Sequence, residues 1–262
     1  MSSRDAASAR ASVGANKEVA ESEVARLRRL YGHLAAQPLL RAIIGQEFRG
    51  RVAAVSSFGA ESAVILALIA EIDPATPIVF LDTGWHFPET IAYRDRLAGL
   101  LGLTNLRSVT PATLDLERED RDNRLHAINP DRCCHLRKVL PLERALAGYD
   151  AWITGRKRYH GGERSQLDLI EDVDSRIKIN PLAGWTLADI ASEFRARNLP
   201  AHPLIAQGYP SIGCAPCTSQ AAANDAIRAG RWTDSEKTEC GIHRAKWAQA
   251  ERLADQEPVA GR

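Results

Sequence analysis

The chain has 262 residues, room for one large α/β domain with an appended segment. Its 34 basic and 33 acidic side chains nearly cancel, so no overall field asks for nucleic acid or an anionic membrane. The longest apolar run, Ala63 to Ala70, is far too short to span a bilayer.

Residues 1–16 are small and polar without periodicity and read as a disordered tail, with no apolar segment of a secretory signal. From Glu18 on, Val19, Val24, Leu27, Leu30, Leu34, Leu39, Leu40, Ile43 and Ile44 recur at near-helical spacing, which predicts one or two amphipathic helices ending at Gly45 or soon after. Arg51 to Val55 then reads as a buried strand, and Ser56-Ser57-Phe58-Gly59-Ala60-Glu61-Ser62 as the turn into a helix over 63–72. A strand, a small-residue loop and a helix N-terminus together aim backbone N–H groups at whatever sits above, which suits a phosphate or sulfate. An ordinary turn with a serine cap explains the stretch equally well.

A second strand, Ile78 to Leu81, ends in Asp82-Thr83-Gly84 before a helix that Pro88 opens. In doubly wound sheets ligands bind at the C-terminal ends of strands, so this second loop is expected to face the same crevice as the first. Leu103 to Val109 is a further candidate strand, and Leu114 to Arg124 a charged helical stretch. Cys133 and Cys134 are placed at the start of a helix over 135–146, with Lys138 on the same helical face as Cys134.

Ala151 to Thr154 is a short strand, followed by a glycine-bearing loop carrying Arg156, Lys157, Arg158 and Arg164. This loop is a local anion clamp in a chain that is neutral as a whole. Ile177 to Ile179 is expected to be an edge strand, and Thr186 to cap a helix that ends before Pro200. Beyond it come the Cys214-Ala215-Pro216-Cys217 turn and a polar stretch with Arg228, Arg231 and Cys240.

Five cysteines with no export signal point to metal-bound or reactive thiols in a reducing compartment, the cytoplasm. Adjacent cysteines make a poor disulfide with each other, so Cys133 and Cys134 are expected to share a partner. With the C-x-x-C they can converge on one metal centre, and the spacing favours iron–sulfur over zinc. Cys240 is then left over as a free thiol.

Taken together, Ser-Ser-Phe-Gly-Ala-Glu-Ser, Leu-Asp-Thr-Gly, Cys-Cys-x-x-x-Lys, Thr-Gly-Arg-Lys-Arg, Cys-x-x-Cys-Thr and Glu-Cys-Gly-Ile-His resemble one family in their order. It is the assimilatory sulfonucleotide reductases, most closely the iron–sulfur, thioredoxin-dependent adenylyl-sulfate (APS) type. The resemblance runs from about Arg51 to His243. It implies a Rossmann-like doubly wound sheet of the adenine nucleotide alpha hydrolase (PP-loop) type. Residues 17–217 would form the nucleotide- and cluster-binding α/β domain, and 218–262 a mobile catalytic segment.

By the same resemblance, Cys133, Cys134, Cys214 and Cys217 would hold a [4Fe-4S] cluster, and Cys240 would be the nucleophile that reduces the sulfonucleotide to sulfite and AMP. Ser56, Ser57, Phe58, Gly59, Glu61, Ser62, Asp82, Thr83, Gly84, Arg156, Lys157, Arg158 and Arg164 would hold the nucleotide and its sulfate. Lys138, Arg228 and Arg231 would add charge around the sulfate, and His243 would pack or support. Thioredoxin is the expected reductant and a homo-oligomer the expected assembly, with no nucleic-acid or membrane partner. One position departs from the pattern: His160 stands where the family usually has Gln.

Three rival readings are a phosphoadenylyl-sulfate (PAPS) reductase or dual APS/PAPS reductase, an ATP pyrophosphatase of the same fold, and a nucleotide-binding redox sensor. The four cysteines tilt toward APS. Phe58, Ala60 and Glu61 spoil the Ser-Gly-Gly-x-Asp-Ser loop of the pyrophosphatases, and a sensor leaves Cys240 unexplained.

Overall fold

The computed structural model describes residues 22–222 and 224–243. The expectations for residues 1–16, for Val19 and for the 244–262 part of the catalytic segment lie outside the described residues.

Two short helices, α1 (Glu23–Tyr31) and α2 (Ala36–Ala42), lead through a π-helical turn into β1 (Val52–Val55). The chain then alternates: α3 (Ser62–Ala70), β2 (Ile78–Leu81), α4 (Pro88–Leu101) and β3 (Leu106–Val109). Helices α5 (Thr113–Glu119), α6 (Leu125–Ile128), α7 (Pro130–Cys134) and α8 (Leu140–Ala145) precede β4 (Ala151–Ile153). A hairpin of β5 (Ile170–Val173) and β6 (Arg176–Ile179) and the helix α9 (Leu187–Ala196) complete the regular elements.

The six strands order as β3-β2-β1-β4-β6-β5, all parallel except the β5–β6 hairpin. Strand order reverses between β1 and β4, and in such sheets the crevice beyond the carboxyl ends at that point is where ligands bind. The loops leaving these two strands are the Ser56–Ser62 loop and the arginine loop after Ile153.

Period-2 alternation builds a core on each face of the sheet. Val52 and Ala54 of β1, Ile78 and Phe80 of β2, and Ala151 and Ile153 of β4 face the larger core with α3. Ala53, Val79, Leu81 and Trp152 face the other way, against Leu142 and Leu146. Helix α3 is buried from Ala63 to Ile69 and apolar all round, as a helix enclosed by other elements must be. Each fully buried Leu, Ile or Val of this kind stabilises by about 1.5–3 kcal/mol.

Two sequence expectations need correcting. The strand at Ile177–Ile179 is not an edge: β6 pairs in parallel with β4 through Ala151↔Ile177, and β5 takes the edge. The hairpin turns on Asp174 and Ser175, both at positive φ (54° and 64°). That turn normally advertises itself as Asn-Gly or Asp-Gly, so Asp-Ser hides it. The cysteine helix also starts earlier than expected, at Pro130, with the Asn129 side chain accepting from the Arg132 N–H. Cys133 and Cys134 therefore lie in its second turn, just before a π-helical stretch over His135–Val139 that leads into Pro141. A proline lacks the N–H that would continue the regular ladder, and the wider turn ahead of it absorbs that break.

Among the described residues no helix is long and apolar enough to cross a membrane.

Candidate active site

The switch point holds an open cavity. Its walls include Ser56, Ser57, Gly59, Glu61 and Ser62 from the first loop, and Arg156, Lys157, His160 and Arg164 from the arginine loop. Lys138 enters from the cysteine helix, while Arg228, Arg231, Cys240 and His243 close it from the C-terminal stretch. Most of the sequence-predicted ligand residues thus come together from four separate parts of the chain.

Five predicted residues do not line it. Phe58, at φ 49°, is fully buried and packs edge-on against Phe80 at 5.8 Å, so it anchors the loop from below. Arg158 is exposed and donates through Nε to the Leu167 carbonyl (2.8 Å), away from the cavity. The Asp82-Thr83-Gly84 loop folds on itself, Asp82 Oδ1 accepting from the Gly84 N–H at 3.1 Å. Buried Thr83 places its hydroxyl 3.3 Å from Cys214 Sγ. That loop supports the cysteines and not the cavity wall.

The charges that do face inward are organised around two carboxylates. Glu61 accepts from Lys157 Nζ (2.6 Å), the Tyr159 hydroxyl (2.5 Å) and His160 Nε2 (3.0 Å). Glu239 accepts from Arg164 at 2.6 and 3.1 Å, and from the Cys240 N–H at 3.1 Å. Arg228 and Arg156 stand 3.5 and 4.0 Å from it. Burial disfavours both negative charges, yet these partners hold each carboxyl at about 2. The Lys237–Asp131 ion pair and the Thr238 Oγ1–Glu163 contact (3.3 Å) fasten the same C-terminal stretch, and Ile242 packs on the second core.

Glu239, His86 and Trp232 are cavity residues that sequence reasoning missed. The Glu of Glu-Cys-Gly-Ile-His was the available signal, a carboxylate beside a thiol with three arginines in reach. Buried atoms with no partner cluster here: His86 Nδ1, Arg156 Nε, Trp232 Nε1 and His243 Nδ1 all belong to the cavity lining. Buried polar groups are ordinarily satisfied, so four orphans around one cavity mark a place for a polar ligand. The His243 ring lies 5.8 Å from and nearly parallel to that of Trp152, and burial together with Arg156, Lys178, Arg164 and Arg228 keeps it neutral.

Beside the cavity sit the other four thiols. Cys133, Cys134 and Cys214 are buried and Cys217 half-buried, and all are free. Burial, then the neighbouring thiols, push Cys133 up to about 12, and burial raises Cys134 too. Burial raises Cys217 as well, while, against burial, Lys138 and the Thr83 hydroxyl hold Cys214 below its ordinary value, so three of the four are kept as protonated thiols unless a metal takes the proton's place. Ligands to a single tetrahedral zinc would sit roughly 4 Å apart. Yet among the described residues the only set of three or more His, Cys, Asp or Glu donor atoms that all lie within 4.8 Å of one another is that of Glu239, Cys240 and His243. No three of the four thiols meet that spacing, so the described geometry does not assemble them around one tetrahedral ion. Lys138 bridges the two regions: burial opposes its charge, but Cys214, Cys134 and Cys240 hold its ammonium well above the usual lysine range.

Gly213 sits where a Cβ would come 2.3 Å from the Arg231 guanidinium, whose Nε donates to the Cys217 carbonyl at 3.1 Å. Gly213→Ala is expected to keep the fold, because the far end of a long side chain can move, but to swing Arg231 out of place. On the expectation that Arg231 adds charge around the sulfate, nucleotide affinity measured by calorimetry should fall by about tenfold, the weight of one charged contact.

The phosphoadenosine phosphosulfate reductase domain model matches residues 51–220. The adenosine 5'-phosphosulfate reductase of Chelativorans sp. (strain BNC1) is 50% identical over 226 residues, covering 86% of this chain and 92% of that protein. The chain belongs to the sulfonucleotide reductase family. A relative of the same name from Mesorhizobium japonicum is 49% identical, covering 85% of this chain and 87% of its own. Among solved structures, phosphoadenylyl-sulfate (PAPS) reductase from Candida auris, a phosphate complex, superposes with a TM-score of 0.62 at 28% identity over 73% of this chain and 94% of that one. Candida glabrata FMN adenylyltransferase, 17% identical with a TM-score of 0.50 over 92% of this chain and 87% of that one, shares the fold alone. That fold is the PP-loop type, and the cavity of this chain lies at its switch point.

Proposed function

We propose that the protein reduces adenosine 5'-phosphosulfate to sulfite and AMP, with Cys240 as nucleophile and a thioredoxin-type dithiol as reductant. The observation that carries this reading is Cys240 on the wall of a cavity lined by Lys138, Arg156, Arg164, Arg228 and Arg231, opposite the Ser56–Ser62 loop.

The substrate joins sulfate to AMP through a mixed anhydride. Attack of the Cys240 thiolate on sulfur forms an S–S bond and breaks the S–O bond, and AMP leaves with the electron pair. The arginines and Lys138 neutralise the negative charge that this attack would otherwise meet. A dithiol partner then attacks Cys240 Sγ, expels sulfite and forms a mixed disulfide, which its second thiol resolves. Two electrons pass from the dithiol, which ends oxidised, to sulfur. Cys240 must meet both a small nucleotide and a bulky protein, so the stretch over 224–243 has to open from the docked arrangement described here.

Cys133, Cys134, Cys214 and Cys217 would hold a [4Fe-4S] cluster. With four cysteine ligands such a group supplies structural and electrostatic support and offers no open position to substrate.

The test is release of labelled sulfite from sulfur-labelled APS with reduced thioredoxin. Cys240→Ser is expected to lower it by about 10³-fold or more while iron content stays unchanged. Wild-type release in that variant would remove Cys240 from the reaction, and faster turnover of PAPS would reassign the substrate.

A further inference from the structure

We propose that His160 is a positioning residue that couples the nucleotide loop to the segment carrying Cys240, and that it can do so only as a neutral imidazole, so that acid releases the segment. This deepens the reading of Cys240 given above, and its test needs no turnover.

The geometry is a continuous chain of contacts. Glu61 on the first loop meets His160 Nε2 at 3.0 Å, and His160 Nδ1 lies 2.9 Å from Arg164 Nη1. Arg164 clasps Glu239 at 2.6 and 3.1 Å, and Glu239 accepts from the backbone N–H of Cys240. Four side chains therefore run from the loop at the end of β1 to the thiol's own peptide.

The two neighbours dictate the state of the ring. A carboxylate can only accept, so Nε2 must carry a hydrogen; a guanidinium can only donate, so Nδ1 must keep its lone pair. One neutral tautomer satisfies both. Adding a proton at Nδ1 sets N–H against N–H and breaks the link to Arg164, the residue that holds Glu239.

Among the described residues, the charged or titratable groups that act on the ring are Glu61, Lys157, Tyr159 and Arg164. Glu61, Tyr159 and Lys157 meet one another on the first-loop side, with the Tyr159 ring packed edge-on at 4.7 Å, and Arg164 stands on the other. Glu61 and Glu239 stay ionised through the mildly acid range. Burial, then Lys157 and Arg164, hold His160 below its ordinary 6.5 against the pull of Glu61. A ring whose folded value is depressed favours the docked state above about 6.5, and that preference is lost as pH falls below it. When the segment opens, Nδ1 is free to take a proton at the ordinary value. At about pH 5.5 the opening equilibrium should therefore stand up to about tenfold higher than at about pH 8.

Glutamine offers the same pair of functions, an amide N–H for Glu61 and a carbonyl for Arg164, without titrating. The experiment measures the rate of iodoacetamide alkylation at Cys240, followed by mass spectrometry of its peptide, in the full-length wild type, His160→Gln and His160→Leu. Taking the ratio of wild-type to His160→Gln rates at each pH cancels the ionisation of the thiol itself and the titration of His86 and His243, which all the proteins share. We expect that ratio to lie near one at about pH 8 and to rise by up to about tenfold at about pH 5.5. His160→Leu, which can make neither contact, should alkylate faster than wild type already at the higher pH, with native circular dichroism. A ratio that stays flat with pH overturns the proposal, and so does an unchanged rate in a folded His160→Leu protein. Neither result bears on whether sulfite is released, so failure here is distinct from failure of the proposed reaction.

Discussion

Arg137→Met is expected to lower the free energy of unfolding by about 3–5 kcal/mol, measured by urea denaturation. The guanidinium donates to Asp120 Oδ2 at 2.6 and 3.2 Å, and the two side chains are 5% and 1% exposed. It also donates to the Thr83 carbonyl (2.9 Å) and to Asn123 Oδ1 (3.0 Å), and lies over the Trp85 ring at 5.3 Å. Arg137 thus ties the cysteine helix, the turn after β2 and the segment after α5 together at one point. Removing it leaves the Asp120 carboxylate buried without its counter-charge, and that desolvation dominates over the loss of the bonds themselves. The double replacement Asp120→Leu with Arg137→Met should recover part of the loss, because no charge is then stranded. A change under about 1 kcal/mol in the single variant would mean that water reaches Asp120.

The second large effect is on activity. Lys138→Met is expected to lower kcat/KM for sulfite formation by about 10²–10³-fold, the range seen when one preorganised donor is taken from developing charge. Methionine keeps the length and apolar stem of the side chain, so packing inside the helix is preserved. Lys138 lines the cavity and is the cation that senses Cys134, Cys214 and Cys240 together. Iron analysis on the same preparation separates two roles. Retained iron with lost turnover places the lysine on the substrate's charge, while lost iron places it in the support of the thiols.

Local chemistry was the legible part of this chain. The Ser56–Ser62 loop, the arginine loop and the C-x-x-C turn each carry their meaning within a few residues, and the doubly wound sheet follows from strands and helices that alternate in sequence. Features that depend on direction in space were not legible. Asp82 sits after a strand as Ser56 does, but its side chain turns back onto its own backbone, and Arg158 donates to the Leu167 carbonyl while Arg156 lines the cavity. Pairings over long sequence distance were equally hidden: Arg164 with Glu239, Lys237 with Asp131 and Arg137 with Asp120 each join residues that no periodicity connects. Strand β5 was missed because its turn uses Asp174 and Ser175 where glycine is usual.

That terminal strand has a consequence for how the molecule meets others of its kind. A sheet edge with free carbonyls can template a foreign strand, the first step toward aggregation. Here the carbonyl of Ile170 already accepts two bonds from Arg28, at 2.9 and 2.6 Å, and acidic Glu171 and Asp172 follow along the strand. The opposite margin, β3, is short and carries Arg107 and Ser108 exposed. Both margins discourage β-augmentation, so among the described residues the sheet offers no flat, unguarded edge to a foreign strand.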